Sequence, residues 1–303
     1  MKAVTYTTYG VATDVLTLST DVPEPTLPAP GDSSPPSVLL RVHAVALNPV
    51  DWKRISGALR PFFSGPSAAA PLVPCMDVAG VVTATSSSTP AFPVGTRVFG
   101  CIPGGAMAEV AVAPEAVLAA IPEGFSFVEA AAVPLACLTV LHGAGGTGSF
   151  ALQLAKRVFG IPRVVTTVSA AKAEVATSLG ADECIDYRTS TIGAALRGDA
   201  RVVAALDLVG DIPAAVGGVV PGGAVVGIAG PFQASQMGPW CPNGVPFRGE
   251  ELAEVAGWMR EGKVKALVDS VHEGLEAHAA AFGVLMGGHA AGKVVVRVVP
   301  EEG

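Results

Sequence analysis

Six consecutive residues constrain this chain more than any others: Gly143, Ala144, Gly145, Gly146, Thr147 and Gly148 spell GxGxxG between a short apolar run and a helical pattern over residues 149–159. In that setting the glycines permit a tight turn and close backbone approach. A pyrophosphate can then rest on the free N–H groups and positive dipole end of the following helix. A purely structural turn uses the same glycines, and with 36 of them in 303 residues the spacing alone has little force. The flanking strand and helix patterns give the motif its weight.

The chain changes texture near residue 135. Before it, β-branched runs at 38–45, 78–84, 97–101 and 108–112 are punctuated by Pro and Gly and predict a compact β domain. Residues 23–36 are Pro-rich and predict an exposed connection. After it, strand patterns at 139–142, 163–168 and 202–208 alternate with helix patterns at 149–159 and 171–179. That order predicts an α/β fold with a doubly wound parallel sheet. A helix at 249–261 precedes a Val-rich strand at 293–299 that returns to the first domain. The expected division is 1–124 with 266–303 as one domain and 125–265 as the other.

NAD-binding proteins place an Asp or Glu about 20 residues after the glycine turn, at the end of the next strand, to hold the ribose 2′-hydroxyl. Here that segment reads TTVSAAKAEV, with no acid at the strand end. Ser169 and Lys172 offer hydrogen bonds and positive charge to a 2′-phosphate instead, and Tyr187 adds a hydroxyl after the following strand. Taken singly, Lys172 reads as a solvated helix residue and Tyr187 as a packing residue. Together they favour NADP.

Composition excludes several classes. A net charge of -7 with 15% charged residues gives no basic field for a polyanion, so nucleic acid is not an expected partner. The five cysteines have no CxxC spacing, which argues against a zinc knot or a disulfide framework. No apolar run reaches the length of a membrane span. The N-terminus MKAVTYTTYG carries neither a secretory nor a transit signature, and the expected compartment is the cytoplasm.

The blocks NPVDWKRISG (48–57), PCMDVAGVV (74–82), VGTRVFG (94–100), EAAAVPLACLT (129–139), HGAGGTGSFALQLAK (142–156), SLGADECIDYR (178–188) and GKVVVRVV (292–299) resemble zinc-independent quinone oxidoreductase-like members of the medium-chain dehydrogenase/reductase superfamily. NPVDWK followed by a basic residue is most similar to the plant-type enone and alkenal reductases and the chloroplast-envelope quinone oxidoreductase homologues. The resemblance implies a GroES-like catalytic domain, a Rossmann domain and NADPH-driven reduction of an activated C=C bond in a small hydrophobic enone or quinone. It places Lys53 beside nicotinamide and substrate, as electrophile or as cofactor anchor, with Asn48 also on the substrate side. Thr139, Gly143, Gly145, Gly146, Thr147 and Gly148 fall to the cofactor, and Ser169, Lys172 and Tyr187 to its 2′-phosphate. Ile228, His289 and Ala290 complete the cofactor contacts. Asp51 shares the Asn48 motif, where either residue serves equally well to hold the loop.

Zinc-dependent relatives carry a Cys and a His-Glu pair where this chain has NPVDWK and PCMDVAG, so no metal is expected. Two segments are shorter than in the resembling family: the long helix before the first Rossmann strand, and a strand and loop between Gly230 and Pro246. A homodimer through a Rossmann edge would cover surface that the first loss exposes. The resemblance also admits a trans-acting enoyl reductase of a polyketide or fatty-acid pathway, or a degenerate, non-catalytic NADPH-binding protein. Phe62, Phe63, Trp240 and Phe247 suit a hydrophobic pocket or a core equally.

Overall fold

The computed structural model describes residues 1–28, 34–60, 63–141, 148–227 and 247–300. The chain divides into two compact units, Met1–Leu135 with Phe247–Arg260 and Lys265–Gly303, and Ala136–Pro246 with Glu261–Val264. In chain order the first unit contributes β1 (Ala3–Thr5), α1 (Ala12–Val15), β2 (Thr17–Ser19), β3 (Ser37–Leu47), α2 (Pro49–Ile55), β4 (Asp77–Thr85), β5 (Arg97–Cys101), β6 (Val110–Pro114), β7 (Leu118–Ala120) and α3 (Phe127–Ala131). Helix α4 (Pro134–Leu141) begins at the boundary. The second unit holds α5 (Gly148–Gln153), β8 (Val165–Val168), α6 (Ala173–Leu179), β9 (Glu183–Asp186), α7 (Ile192–Ala195), β10 (Val202–Asp207), α8 (Ile212–Gly217) and β11 (Val219–Gly227). The chain then returns to the first unit with α9 (Gly249–Arg260), β12 (Val268–Glu273), α10 (His278–Gly287) and β13 (Lys293–Arg297).

A seven-stranded sheet organises the first unit in the order β12-β13-β3-β4-β5-β7, with β6 also on β3. Strand β3 is its axis. Strand β6 pairs with its first half, from Ser37 to Arg41, and β13 with its second half, from Ala44 to Leu47. Of its eleven residues only Arg41 is exposed, so the strand reads as a nearly unbroken apolar run rather than an alternation. Leu40, Leu47, Ile55, Ile102, Met107 and Phe282 form part of the core. On the neighbouring strand, Gly80 lies so close to β3 that a Cβ there would overlap the Arg41 carbonyl oxygen. Helix α9, expected in the second domain, packs against β7, and Gly249 at its start meets the Leu118 carbonyl.

The second unit departs from the expected sheet. Strands β8 and β9 form one parallel pair and β10 and β11 another, with no strand joining them among the described residues. In a doubly wound order of 3-2-1-4-5, β9, β8, β10 and β11 take positions 3, 2, 4 and 5, and position 1 is the one left out. Residues 139–141 of the expected first strand are instead the end of α4, His142 lying outside the described residues, and Thr139 is a buried helical residue. The reason is local. Pro134 suits a helix start, and PLACLTVL contains no Gly, Asn or Asp to stop the helix, so backbone hydrogen bonding continues to Leu141.

Candidate active site and cofactor edge

Helix α2 is seven residues long and is held at both ends. Asn48 caps its start: the Asn48 backbone N–H donates to Asp51 Oδ2 at 2.8 Å, and Pro49 occupies the first helical position, where a missing N–H costs nothing. At the other end Arg54 donates to the Pro103 carbonyl at 2.7 Å and lies over the Phe63 ring at 4.2 Å. Asp51 and Ile55 are on the buried face, and Lys53 is exposed, its ammonium 5.9 Å from the Trp52 ring centre. The expected electrophile or anchor is therefore solvent-accessible on a fixed helix.

Asn48, expected beside substrate, is 2% exposed, and both ends of its amide are engaged inside the unit. Its Nδ2 donates to Asp77 Oδ2 at 2.9 Å and its Oδ1 accepts from Lys293 Nζ. Lys293 also donates to Asp77 Oδ2 at 3.3 Å, while Asp77 Oδ1 accepts from the Leu135 N–H at 2.8 Å. Sheet register explains the meeting: Val294 pairs with Leu47 and Ala46 with Asp77, which brings Lys293, Asn48 and Asp77 to one end of three adjacent strands. Burial pushes the Asp77 carboxyl up, opposed by Lys293 and the Asn48 amide. Burial pushes the Asp51 carboxyl up to about 7, and its Oδ1 is buried without a hydrogen-bond partner.

Burial pushes the Cys75 and Cys101 thiols well above the ordinary thiol range, and the Lys293 ammonium already pairs with Asp77. Among the described residues no three His, Cys, Asp or Glu side chains gather as metal ligands. Cys75 has φ 71°, a left-handed conformation uncommon outside glycine, in the turn that leads to Asp77.

In the second unit Val168 pairs with Asp186 at the ends of parallel strands β8 and β9. Ser169 and Tyr187 are the next residues of their strands, so they leave the sheet side by side at its carboxyl edge, where open α/β sheets bind ligands. Ser169 is 6% exposed and Tyr187 59% exposed, and exposed Lys172 closes the short turn that enters α6. At the carboxyl end of β10, Asp207 Oδ1 accepts the N–H groups of Val209 and Gly210, each at 3.0 Å, and holds the turn there. Gly148 opens α5, whereas Gly143, Gly145, Gly146, Thr147 and Ile228 lie outside the described residues, as do Phe62 and Trp240. His289 and Ala290 sit between α10 and β13, His289 exposed.

Sequence reasoning missed Lys293 and the part Asp77 plays with it. The available signal was a lysine opening an otherwise apolar strand, KVVVR.

A β-rich unit followed by a unit of parallel strands and helices, with a carboxyl-edge cluster of hydroxyls and an ammonium, defines a two-domain oxidoreductase architecture. Comparison with known proteins gives the family. Residues 34–123 match the alcohol dehydrogenase GroES-like domain, and residues 179–296 match the zinc-binding dehydrogenase family. The chain is 36% identical to the 2-methylene-furan-3-one reductase of Solanum lycopersicum, covering 99% of this chain and 80% of that protein. It is 34% identical to the NADPH-dependent alkenal/one oxidoreductase, chloroplastic, of Arabidopsis thaliana, with the same coverage. The solved quinone oxidoreductase of Coxiella burnetii superposes with a TM-score of 0.80 at 25% identity, covering 99% of both chains. The chain belongs to the medium-chain dehydrogenase/reductase superfamily, among its quinone oxidoreductases and enone/alkenal reductases.

Proposed function

We propose that the protein is a zinc-independent, NADPH-dependent reductase of activated C=C bonds in small hydrophobic enones, alkenals or quinones. The observation that carries the cofactor choice is the paired register of β8 and β9, which sets Ser169 and Tyr187 side by side where β8 ends without an acid, with Lys172 at the next turn. Supporting it, the Arabidopsis relative is named as NADPH-dependent, and a mycobacterial neighbour with TM-score 0.80 is complexed with NADPH.

NADPH bound along this edge supplies the hydride. Ser169, Lys172 and Tyr187 would hold its 2′-phosphate through charge-assisted hydrogen bonds. Negative charge develops on the substrate carbonyl oxygen, and an ammonium aimed at that oxygen acts most strongly in the transition state. Lys53 on α2 is assigned that role. Measuring NADPH consumption with a panel of enones, alkenals and quinones, beside NADPH and NADH binding by fluorescence, tests the reading. Lys53→Ala should lower kcat about a hundredfold while NADPH affinity holds. Equal loss of binding would make Lys53 an anchor only.

The lack of a central strand among the described residues favours a second reading, a non-catalytic NADPH-binding protein, which binds NADPH and turns over no acceptor. Turnover confined to carrier-bound acyl chains would instead point to a trans-acting enoyl reductase, a name carried by an Aspergillus terreus relative 30% identical over 87% of the chain. No described helix is long and apolar enough to cross a membrane. The cytoplasm is proposed as the compartment. Relatives named for the chloroplast make fractionation between the two compartments the deciding measurement. A homodimer is proposed as cover for the second unit, to be read by light scattering.

A further inference from the structure

We propose that Lys293 is a positioning residue for Lys53, acting through Asn48. This rests on the reductase reading given above, in which Lys53 meets the substrate.

Strand β13 is KVVVR, and Val294, Val295 and Val296 are each at most 1% exposed. A fourth apolar residue at position 293 would continue that packing at no desolvation cost. The chain instead buries an ammonium, and with it the Asp77 carboxylate, which is fully buried. Replacing such pairs by apolar residues is often neutral or stabilising in other proteins, so stability is a poor reason for the pair to be there. Its geometry supplies a better one. The ammonium spends its hydrogen bonds on Asn48 Oδ1 and Asp77 Oδ2, and Asp77 Oδ2 also takes the Asn48 Nδ2 proton at 2.9 Å. A planar amide gripped at both ends cannot rotate, and Asn48 is the residue from which α2 starts. Asp51, one turn on, accepts a hydrogen bond from the Asn48 backbone N–H at 2.8 Å. The direction of the first turn of α2 is thereby fixed relative to the sheet, and Lys53 follows two residues after Asp51. Arg54, bonded to the Pro103 carbonyl, fixes the far end. Without Lys293 the Asn48 amide loses the donor that orients its oxygen, and only the Asp77 side of its grip remains.

The test is a coupling cycle on the full chain. Lys293→Met combined with Asp77→Asn removes both charges together, so no uncompensated carboxylate is left in the core. This paired variant, Lys53→Ala and their combination are compared by thermal melting, NADPH fluorescence titration, KM and kcat on one reducible enone. The paired variant is expected to bind NADPH and to keep KM within about threefold of wild type, with kcat lowered about tenfold or more. In the Lys53→Ala background the same pair is expected to cost less than about threefold, because residues acting as one unit do not contribute independently. Lys293→Arg, which keeps the charge and reaches the same acceptors, is expected to recover most of kcat. If the pair does not fold, Asn48→Ser, which keeps a helix-capping hydroxyl but removes the amide that Lys293 and Asp77 hold, is the measured variant, and a several-fold drop in kcat is expected. Unchanged kcat in the paired variant, or in Asn48→Ser where the pair does not fold, overturns the proposal, as do losses that multiply independently with Lys53→Ala. A wild-type chain that reduces no acceptor overturns the reductase reading itself, and this inference with it.

Discussion

Replacing Asp51 by asparagine should flatten the pH dependence of stability over one defined window. Burial raises the Asp51 carboxyl from 3.8 to about 7, with neighbouring Asp77 adding to the rise and Lys293 and Arg54 opposing it. The folded state therefore holds a proton that the unfolded chain has already released between about pH 4 and 7, and stability falls as pH rises through that window. A difference of about three units at 1.36 kcal/mol each gives a loss of about 4 kcal/mol, complete above about pH 7. The substituted amide keeps an oxygen for the Asn48 N–H and carries no charge. Its nitrogen occupies the place of the unpartnered Oδ1 and costs about 1–3 kcal/mol for its own unmade bonds. At about pH 8 Asp51→Asn is expected to be more stable than wild type by about 1–3 kcal/mol, and at about pH 5 to match it or fall slightly below. Urea unfolding midpoints of both proteins at the two pH values provide the measurement. Titrating groups that do not feel Asp51 are common to both proteins and cancel in the comparison, whereas Asp77, which is coupled to it, is eased in the variant. Parallel pH dependence in wild type and variant would refute the assignment of a raised pKa to Asp51.

Lys172→Ala should weaken NADPH binding about ten- to a hundredfold and leave NADH binding unchanged, read by fluorescence titration; equal effects on both would detach Lys172 from the 2′-phosphate. Gly80→Ala should destabilise the first unit by about 2–4 kcal/mol, seen as a lower urea midpoint, because the added methyl meets the Arg41 carbonyl across β3 and the sheet must open to admit it. Hydrogen exchange should be slower by about a hundredfold or more in β3 and β4 than in β10 and β11, since an isolated two-stranded pair is marginal and β11 has only Val219 buried. Uniform protection across both units would mean that the second unit is held by contacts beyond its paired strands.

Much of the first unit was legible because its signals are local. SVLLRVHAVAL and DVAGVV are β-branched runs that form strands wherever they are packed, and NPVD announces a capped helix start through Asn, Pro and the acid three residues on. The strand patterns at 163–168 and 202–208 became β8 and β10 with small changes at their ends. LACLTVL was not legible in the same way. A short apolar run has no periodicity that separates a buried strand from a buried helix, and only the length of the helix that absorbs it decides. The two readings of Asn48 were also beyond local inference. Its neighbours in sequence show a cap, whereas its partner Lys293 lies 245 residues away and is found only through the register of β13 on β3.

That separation has a consequence for how the chain is made. The ribosome delivers Asn48 and Asp77 early and Lys293 only after the whole second unit has been synthesised. Until then Asp77 lacks its counter-charge, which disfavours closing that end of β3 over it. The second half of β3, on the side where β13 will sit, is likewise unpaired for the whole of that interval. The second unit can close on the nascent chain while the first waits, so an exposed apolar strand is on offer to chaperones for as long as translation takes to reach the final strand.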